Sequence, residues 1–416
     1  MNSKSVTTTL AAVSAALATG VASASGFQLL EQNASGIGNA YAGSAAVADD
    51  ASTVFFNPAG MTHLKPLEVS LGADLISPSY KFSNSASANT PAPLGSNGGN
   101  AGSAAVVPAG YMSWGISPDF FVGLGVSVPF GLKTDYNDDW AGRFQSTLFD
   151  IKTVNINPSV AWRVNDWFSI GAGLDWMHMK AKYQRYAAVV NATTQGTKIT
   201  LDASDEAFGW NAGVLFKASP TTDVGLSYRS KIKQKLTGDI SSTQQVVLPN
   251  GDASTTITLP DTFILSVKQQ LTDKWQLLGD VSRTGWSSIN DVVIARAGTP
   301  VQTLDAAFDD TWRVALGANY LLNSKWTLKG GVAYDQTPVK NSTTRLAAMP
   351  DNDRVWLSLG TRYQLTPNSR IDVGASYLVI GDTDIANNQA AAGRGNLVGT
   401  YKADILIFGA QYTLAL

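Results

Sequence analysis

The closing stretch, Leu406-Ile407-Phe408-Gly409-Ala410-Gln411-Tyr412-Thr413-Leu414-Ala415-Leu416, decides the fold. Leu406, Phe408, Ala410, Tyr412, Leu414 and Leu416 fall on one face of an extended chain, and Gly409, Gln411, Thr413 and Ala415 on the other. A two-residue period of this kind is the mark of a strand whose faces meet different surroundings. Trp312, Val314, Leu316, Ala318, Tyr320 and Leu322 oppose Arg313, Ala315, Gly317 and Asn319 in the same way. Trp326, Leu328, Val332 and Tyr334 oppose Thr327, Lys329 and Asp335. Aromatic residues sit near the ends of these apolar rows and aliphatic ones nearer the middle, the girdle pattern of a barrel facing lipid.

Outward from these rows, the alternation extends back to about Pro66. Short polar turns fall at Ser117-Pro118-Asp119, Asn165-Asp166, Ser219 to Asp223, Thr272-Asp273-Lys274, Asn323-Ser324-Lys325 and Thr366 to Ser369. Longer polar connections are expected near 83–103, 133–146, 189–197, 240–256, 292–305, 341–353 and 383–400. Six short and seven long connections join fourteen strands, both chain ends lying on the short-turn side. An all-β, fourteen-stranded antiparallel transmembrane barrel over 66–416 is therefore expected. Lipid offers no hydrogen-bond partner, so a spanning sheet must close on itself. A soluble sandwich is disfavoured, because its strands average about five or six residues, whereas Phe168 to Tyr186 runs far longer. Barrels of this kind usually end in an aromatic residue; this one ends in Leu416.

Composition agrees. Charged residues are 15% of 416, against about 25% in a typical soluble protein. The formal charge of -2 gives no basic face for nucleic acid. With no cysteine and two histidines, His63 and His178, there is little material for a metal site or a catalytic triad. No metal and no cofactor is expected. A barrel hydrolase would need a Ser–His pair, yet His178 falls with Trp176 on the outward face of its strand, and an enzyme is not the expected function. Residues 1–24 read as a secretory signal peptide: Lys4, an apolar run from Leu10 to Val21, then Ala22-Ser23-Ala24 before cleavage.

Residues 25–65 have no two-residue period. They are rich in Gly, Ala, Ser and Asp, yet carry Ile37, Phe55, Phe56 and Met61. Asp49 or Ser52 could cap short helical turns, and Pro58 forces Asn57 out of the helical region and can start a helix. A plug of short helices inside the barrel accounts for both features. The adjacent carboxylates Asp49-Asp50 and Asp309-Asp310 are expected to make hatch and loop contacts rather than an acid/base pair.

Gly26-Phe27-Gln28-Leu29, Ala48-Asp49-Asp50 and Asn57-Pro58-Ala59-Gly60 resemble the N-terminal hatch of the FadL-type long-chain fatty acid transporters. The resemblance returns at Phe308 to Gly317, similar to that family's tenth strand, and at Met349 to Arg354 with Trp356-Leu357-Ser358. It implies a fourteen-stranded barrel in the outer membrane of a Gram-negative bacterium, among lipid and lipopolysaccharide, with a monomer as the expected state. It implies capture of a hydrophobic, amphipathic ligand in an apolar lumenal pocket and release sideways through the wall. Long-chain fatty acids are the implied cargo, with aromatic or other hydrophobic compounds as the alternative.

By parity, Phe168, Ile170, Ala172, Leu174 and Trp176 of the fifth strand face out, so Asp175, Met177, Met179, Tyr183 and Arg185 face in. Arg185 matches the family position that meets the ligand head group, and a guanidinium suits a carboxylate; equally, it could pair with a carboxylate of an external loop. Two methionines would adapt to a variable acyl tail. The resemblance places Phe27 near the pocket and gives Asn57, Pro58, Ala59 and Gly60 the hatch role. A second basic residue found in fatty-acid members is missing where Leu304 stands; Arg296 is a possible substitute. Pro129 and Gly131 interrupt the third strand, Phe121 to Leu132. Either they help open the side wall there, or the strand simply ends.

Overall fold

The computed structural model describes residues 25–89, 93–187, 196–244 and 248–416. The expected signal peptide lies outside them, as does most of the connection at 189–197. The sheet is a closed antiparallel barrel of fourteen spanning strands. In chain order they are β1 (Leu67–Asn84), β2 (Ala105–Gly115), β3 (Phe120–Ser127 and Gly131–Asp135), β4 (Leu148–Asn165) and β5 (Phe168–Ala187). There follow β6 (Thr197–Ser219), β7 (Thr222–Arg229 and Ile232–Ser242), β8 (Gly251–Leu259 and Thr262–Gln270) and β9 (Trp275–Thr284 and Asp291–Arg296). The circuit ends with β10 (Thr299–Asp305 and Thr311–Leu321), β11 (Trp326–Asp335), β12 (Arg354–Thr366), β13 (Ser369–Ile380 and Thr383–Asn388) and β14 (Asn396–Ala415). β1 pairs with β14 from Glu68↔Ala415 to Asn84↔Gly399, which leaves no edge in the membrane.

The apolar rows face outward. Leu316 is 63% exposed and Leu359 73%, values that make sense only if lipid covers them. Trp275 with Tyr320, and Trp326 with Tyr363, pack as tilted pairs at ring-centroid distances of 4.7 and 4.5 Å at the short-turn end of the rows. Several stretches read as long loops are strands instead. The expected connection at 292–305 is a two-residue hairpin: β9 turns into β10 at Ala297 and Gly298, both at positive φ (48° and 78°). β7, β8, β13 and β14 likewise run into 240–256 and 383–400. Beyond the lipid both faces of a strand are wet, so hydrophobic alternation disappears while backbone pairing persists.

Residues 25–65 run through the bore and touch inward-facing groups around the circumference. Two short helices, α1 (Ala34–Ile37) and α2 (Thr53–Phe56), are followed by a 3-10 helix, Pro58–His63. Asn33 caps α1 by accepting from Gly36 N–H at 2.9 Å, and Asn57 accepts from Ala59 N–H at 3.1 Å to start the 3-10 turn. The wall makes room with glycine. A Cβ on Gly225 would overlap the Ala45 carbonyl, and one on Gly213 the Asn57 side chain. Asn57, 1% exposed, also donates to Ala45 O at 2.7 Å and Val214 O at 3.0 Å.

Overpacking a fitted seam costs about 1–3 kcal/mol, so Gly225→Val should unseat the hatch while leaving the barrel closed. Nitrocefin entry into cells carrying Gly225→Val should rise several-fold, with the protein still heat-modifiable on a gel. Unchanged permeability in the folded variant would contradict the seating described here.

Candidate functional site

The upper half of the lumen is apolar. Phe27, Phe130, Met177, Met179, Tyr183, Ile199, Leu201, Trp286 and Phe308 belong to one buried cluster. At its centre Phe27 lies 4.9 Å from Trp286 and 6.0 Å from Phe130, edge to face, and Trp286 lies 6.1 Å from Phe308. Above this cluster a cavity of about 180 Å³ is lined by Tyr183, Arg185, Ala187, Ile199, Leu201, Ile240, Leu248, Ile294, Val301 and Gln302. Tyr183 and Arg185 thus share a chamber, whereas Met177 and Met179 belong to the packed floor beneath it.

Arg185 has no carboxylate partner among the described residues. Its Nε donates to Gln302 Oε1 at 2.6 Å and its Nη1 to Tyr186 O at 3.1 Å. Gln302 Nε2 in turn donates to the Tyr183 hydroxyl at 2.8 Å, and that hydroxyl donates to Gln145 O. A cation is held by neutral groups in an apolar recess, with room beside it. Leu304 is buried in the cluster, and Arg296 turns away to Asn250 O at 3.1 Å, so neither supplies a second cation. Arg394, on the turn leading into β14, does come near: its charge acts on both Tyr183 and Arg185. Nothing in the local sequence around Gln302, Arg394 or Trp286 singles them out. Only the antiparallel register across β9 and β10, or pairing through the turn before β14, brings them here.

Pro129 and Gly131 lie at an interruption of β3, which resumes at Gly131 rather than ending. The ladder between β2 and β3 runs only from Gly110↔Val126 to Gly115↔Phe121. The departing backbone is taken up inside. Leu29 N–H donates to Pro129 O and Gly131 N–H to Phe27 O, both at 2.8 Å, making a bridge of Gln28 with Phe130. Gln32 Nε2 donates to Val128 O at 2.9 Å, and Thr153 Oγ1 accepts from Phe130 N–H at 3.0 Å. The chain's leading residues therefore complete the wall where it parts.

Lower down, the hatch is tied to the wall by charge. Arg362 binds Asp49 at 3.1 Å and Asp372 at 2.9 Å, while Lys329 joins Asp372 and Ser35 O at 2.7 Å each. Burial alone would raise the Asp49 carboxyl, but Arg362, Lys268, Arg370 and Lys329 together hold it well below the usual carboxylate range. Asp50 stays within the hatch, accepting from Ser35 Oγ at 2.6 Å and Ser52 N–H at 2.9 Å. Asp310 caps the inward turn of β9, accepting from Ser287 N–H at 3.0 Å. His178 faces outward at 3.8 Å from Glu206, and His63 ends the 3-10 helix, so the two imidazoles are on different surfaces.

Glu31 differs from these. It is fully buried, and no other residue among those described donates a hydrogen bond to either oxygen. Burial pushes its carboxyl up to about 7, against its own backbone N–H and the pull of Arg354 and Arg313, and with a further push from Asp335.

The profile of the family described as "Outer membrane protein transport protein (OMPP1/FadL/TodX)" matches residues 15–416. Outer membrane protein P1 of Haemophilus influenzae Rd is 32% identical over 89% of this chain and 89% of its own. The long-chain fatty acid transport protein of Escherichia coli K12 is 31% identical over 88% of this chain and 90% of its own. A FadL homologue of Pseudomonas aeruginosa matches with a TM-score of 0.88 at 25% identity, over 94% of this chain and 99% of its own. The toluene transporter TbuX of Ralstonia pickettii shares the fold, with a TM-score of 0.67 at 19% identity over 92% of this chain and 99% of its own.

A carboxyl raised by burial favours the seated, neutral state. Seating is strongest below its ordinary value of 4.5, weakens as pH rises through about 7, and changes no further above that. The full effect is on the order of 3 kcal/mol. Hydrogen exchange across residues 27–33, corrected for intrinsic rate, should be slower at pH 5 than at pH 8, and Glu31→Gln should remove the difference. Equal protection at both pH values in the unaltered protein would contradict this.

Proposed function

The chain belongs to the OMPP1/FadL/TodX family of outer-membrane transport proteins, and on that footing we propose that it imports long-chain fatty acids. It is an outer-membrane channel for hydrophobic compounds. The finer reading is that the fatty acid's tail enters the apolar chamber and its carboxylate meets Arg185, with Arg394 adding positive charge. One observation carries this choice over an aromatic hydrocarbon: a recessed guanidinium held only by neutral partners, Gln302 Oε1 and Tyr186 O. Toluene has nothing to offer such a group, whereas a carboxylate binds it through paired, charge-assisted hydrogen bonds. The family's relatives named for fatty-acid transport support the same cargo.

Release is sideways, at the parting of β2 and β3. Support comes from the bonds that tie Phe27 and Leu29 to the interruption at Pro129. Ligand filling the chamber presses on its packed floor, the cluster that holds Phe27 and Trp286, the leading segment withdraws, and the interruption loses its inner partners. Departure into the bilayer is downhill by roughly 0.8 kcal/mol per methylene taken out of water. Asn57, Pro58, Ala59 and Gly60 hold the rest of the hatch in place throughout, so the bore stays corked against polar solutes.

A charge-assisted hydrogen bond contributes about 1.5–3 kcal/mol. In a host lacking its own transporter, Arg185→Ala should therefore lower oleate uptake about ten-fold or more and leave toluene uptake within two-fold. Equal loss of both would remove the head-group role. Gln28 and Phe130 form a non-hydrogen-bonded antiparallel pair, where Cα atoms lie about 4.5 Å apart. A disulfide in Gln28→Cys/Phe130→Cys should stop oleate uptake until it is reduced. Full uptake with that bond intact would exclude release at this parting.

A further inference from the structure

The wall parts in a second place. β8 and β9 are paired at Ser254↔Ala295 and again at Thr262↔Thr284, but no ladder joins them between. Pro260 has no N–H to offer, and β9 turns inward as a 3-10 helix, Trp286–Ser288, that buries Trp286 completely. Two bonds cross the parting: Gly285 N–H to Asp261 O at 2.9 Å and Ser288 Oγ to Thr258 O at 2.8 Å. Between them and the outer rim lies an open notch of about 470 Å³.

The notch is placed and shaped for an amphiphile. Phe263 is paired with Tyr228, whose ring packs 5.2 Å from that of Trp210 and marks the outer girdle. Thr258 is paired with Lys233, further from the membrane centre than Phe263, so the notch opens at the height of lipid head groups and sugars. Its sides carry hydroxyls, from Thr256, Thr258 and Ser288, and its floor carries Ile257 and Ile289. Those two isoleucines belong to the same buried cluster as Tyr183. Along β9, Val293 and Ala295 line the notch while Ile294 between them lines the Arg185 cavity. One thickness of strand separates outside from chamber.

Charge selects the occupant. Lys233 stands exposed on the rim of the notch and pairs with no carboxylate among the described residues, and Lys231 and Lys235 share its outward face. Lys231 is engaged with Asp261 at 3.6 Å; of the three lysines it is Lys233 that lines the notch, which Asp291 also borders.

We propose that the β8/β9 notch is a side entrance to the chamber, through which a long-chain carboxylate already lodged in the outer leaflet enters. Lys233 meets the carboxylate, the tail slides between β8 and β9 over Ile257, and the head group passes inward to Arg185. This rests on the fatty-acid reading above and adds a route that the reading does not require.

The chain has no cysteine, so Thr256→Cys in the full-length protein gives one addressable site on the notch. Lys402→Cys, on the exposed outward face of β14, is the control. In cells lacking another transporter, attaching a bulky methanethiosulfonate at Thr256→Cys should lower oleate uptake at least five-fold. Reductant should restore it, and the same label at Lys402→Cys should change nothing. Heat-modifiable migration of Thr256→Cys from outer membranes, before and after labelling, shows that the variant is folded. Lys233→Gln should lower uptake about three-fold at low oleate and leave the maximal rate unchanged. Undiminished oleate uptake by the labelled Thr256→Cys protein overturns the side entrance. If Arg185→Ala lowers oleate uptake about ten-fold or more in that case, the chamber reading stands and only this route falls.

Discussion

A backbone amide in hydrocarbon has no water to bond, and each unpaired group there costs several kcal/mol. Every other feature of the molecule answers to that constraint. It forces the sheet to close through β1 and β14, and closure at this strand number leaves a bore wide enough to leak. The hatch fills the bore, but its backbone over residues 25–65, irregular between its short helices, must also be satisfied. Small wall residues at Gly213 and Gly225, and the three bonds of Asn57, do this at the seam. The same rule explains why the wall can part only where something else takes over its hydrogen bonds.

Both partings follow this pattern, and both lead to the same place. At β3 the freed backbone of Pro129 and Gly131 is met by Phe27 and Leu29 of the leading segment. At β9 the inward turn is held by Asp261, Thr258 and Asp310, and it delivers Trp286 to the lumen. Phe130 and Trp286 then converge on Phe27. Tyr183, Ile199, Leu201 and Ile294, which line the Arg185 cavity, belong to the same buried cluster as these three rings. In the proposed release, ligand occupancy and wall integrity are coupled through this cluster.

Much of this was legible in the sequence because lipid imposes a strong period. The rows ending at Leu416 and Leu322 fixed which residues face out, and parity along β5 placed Tyr183 and Arg185 inward without any structure. A plug over residues 25–65 was also visible, since small residues among buried aromatics suit a segment packed against a wall; the hatch role of Asn57-Pro58-Ala59-Gly60 came from the family resemblance. What escaped notice lies where the period stops. Beyond the membrane, strands such as those flanking Ala297-Gly298 are wet on both sides and look like loops. Gln302 meets Arg185 across 117 residues of chain, and Arg394 arrives from another loop. Trp286 sits in a short polar stretch whose inward turn has no hydrophobic signature.

The central claim is that cargo leaves through the wall while the bore stays corked, and a crosslinking map tests it most directly. Cells would take up a fatty acid bearing a diazirine on its terminal carbon, be illuminated during uptake, and the adducts on the protein be located by mass spectrometry. The account predicts adducts at the chamber and then on the lipid-facing edges of β2 and β3 beside the interruption at Pro129. Adducts on the hatch's periplasmic end, around His63 and Lys65, would mean that the chain travels down the axis, and would contradict it.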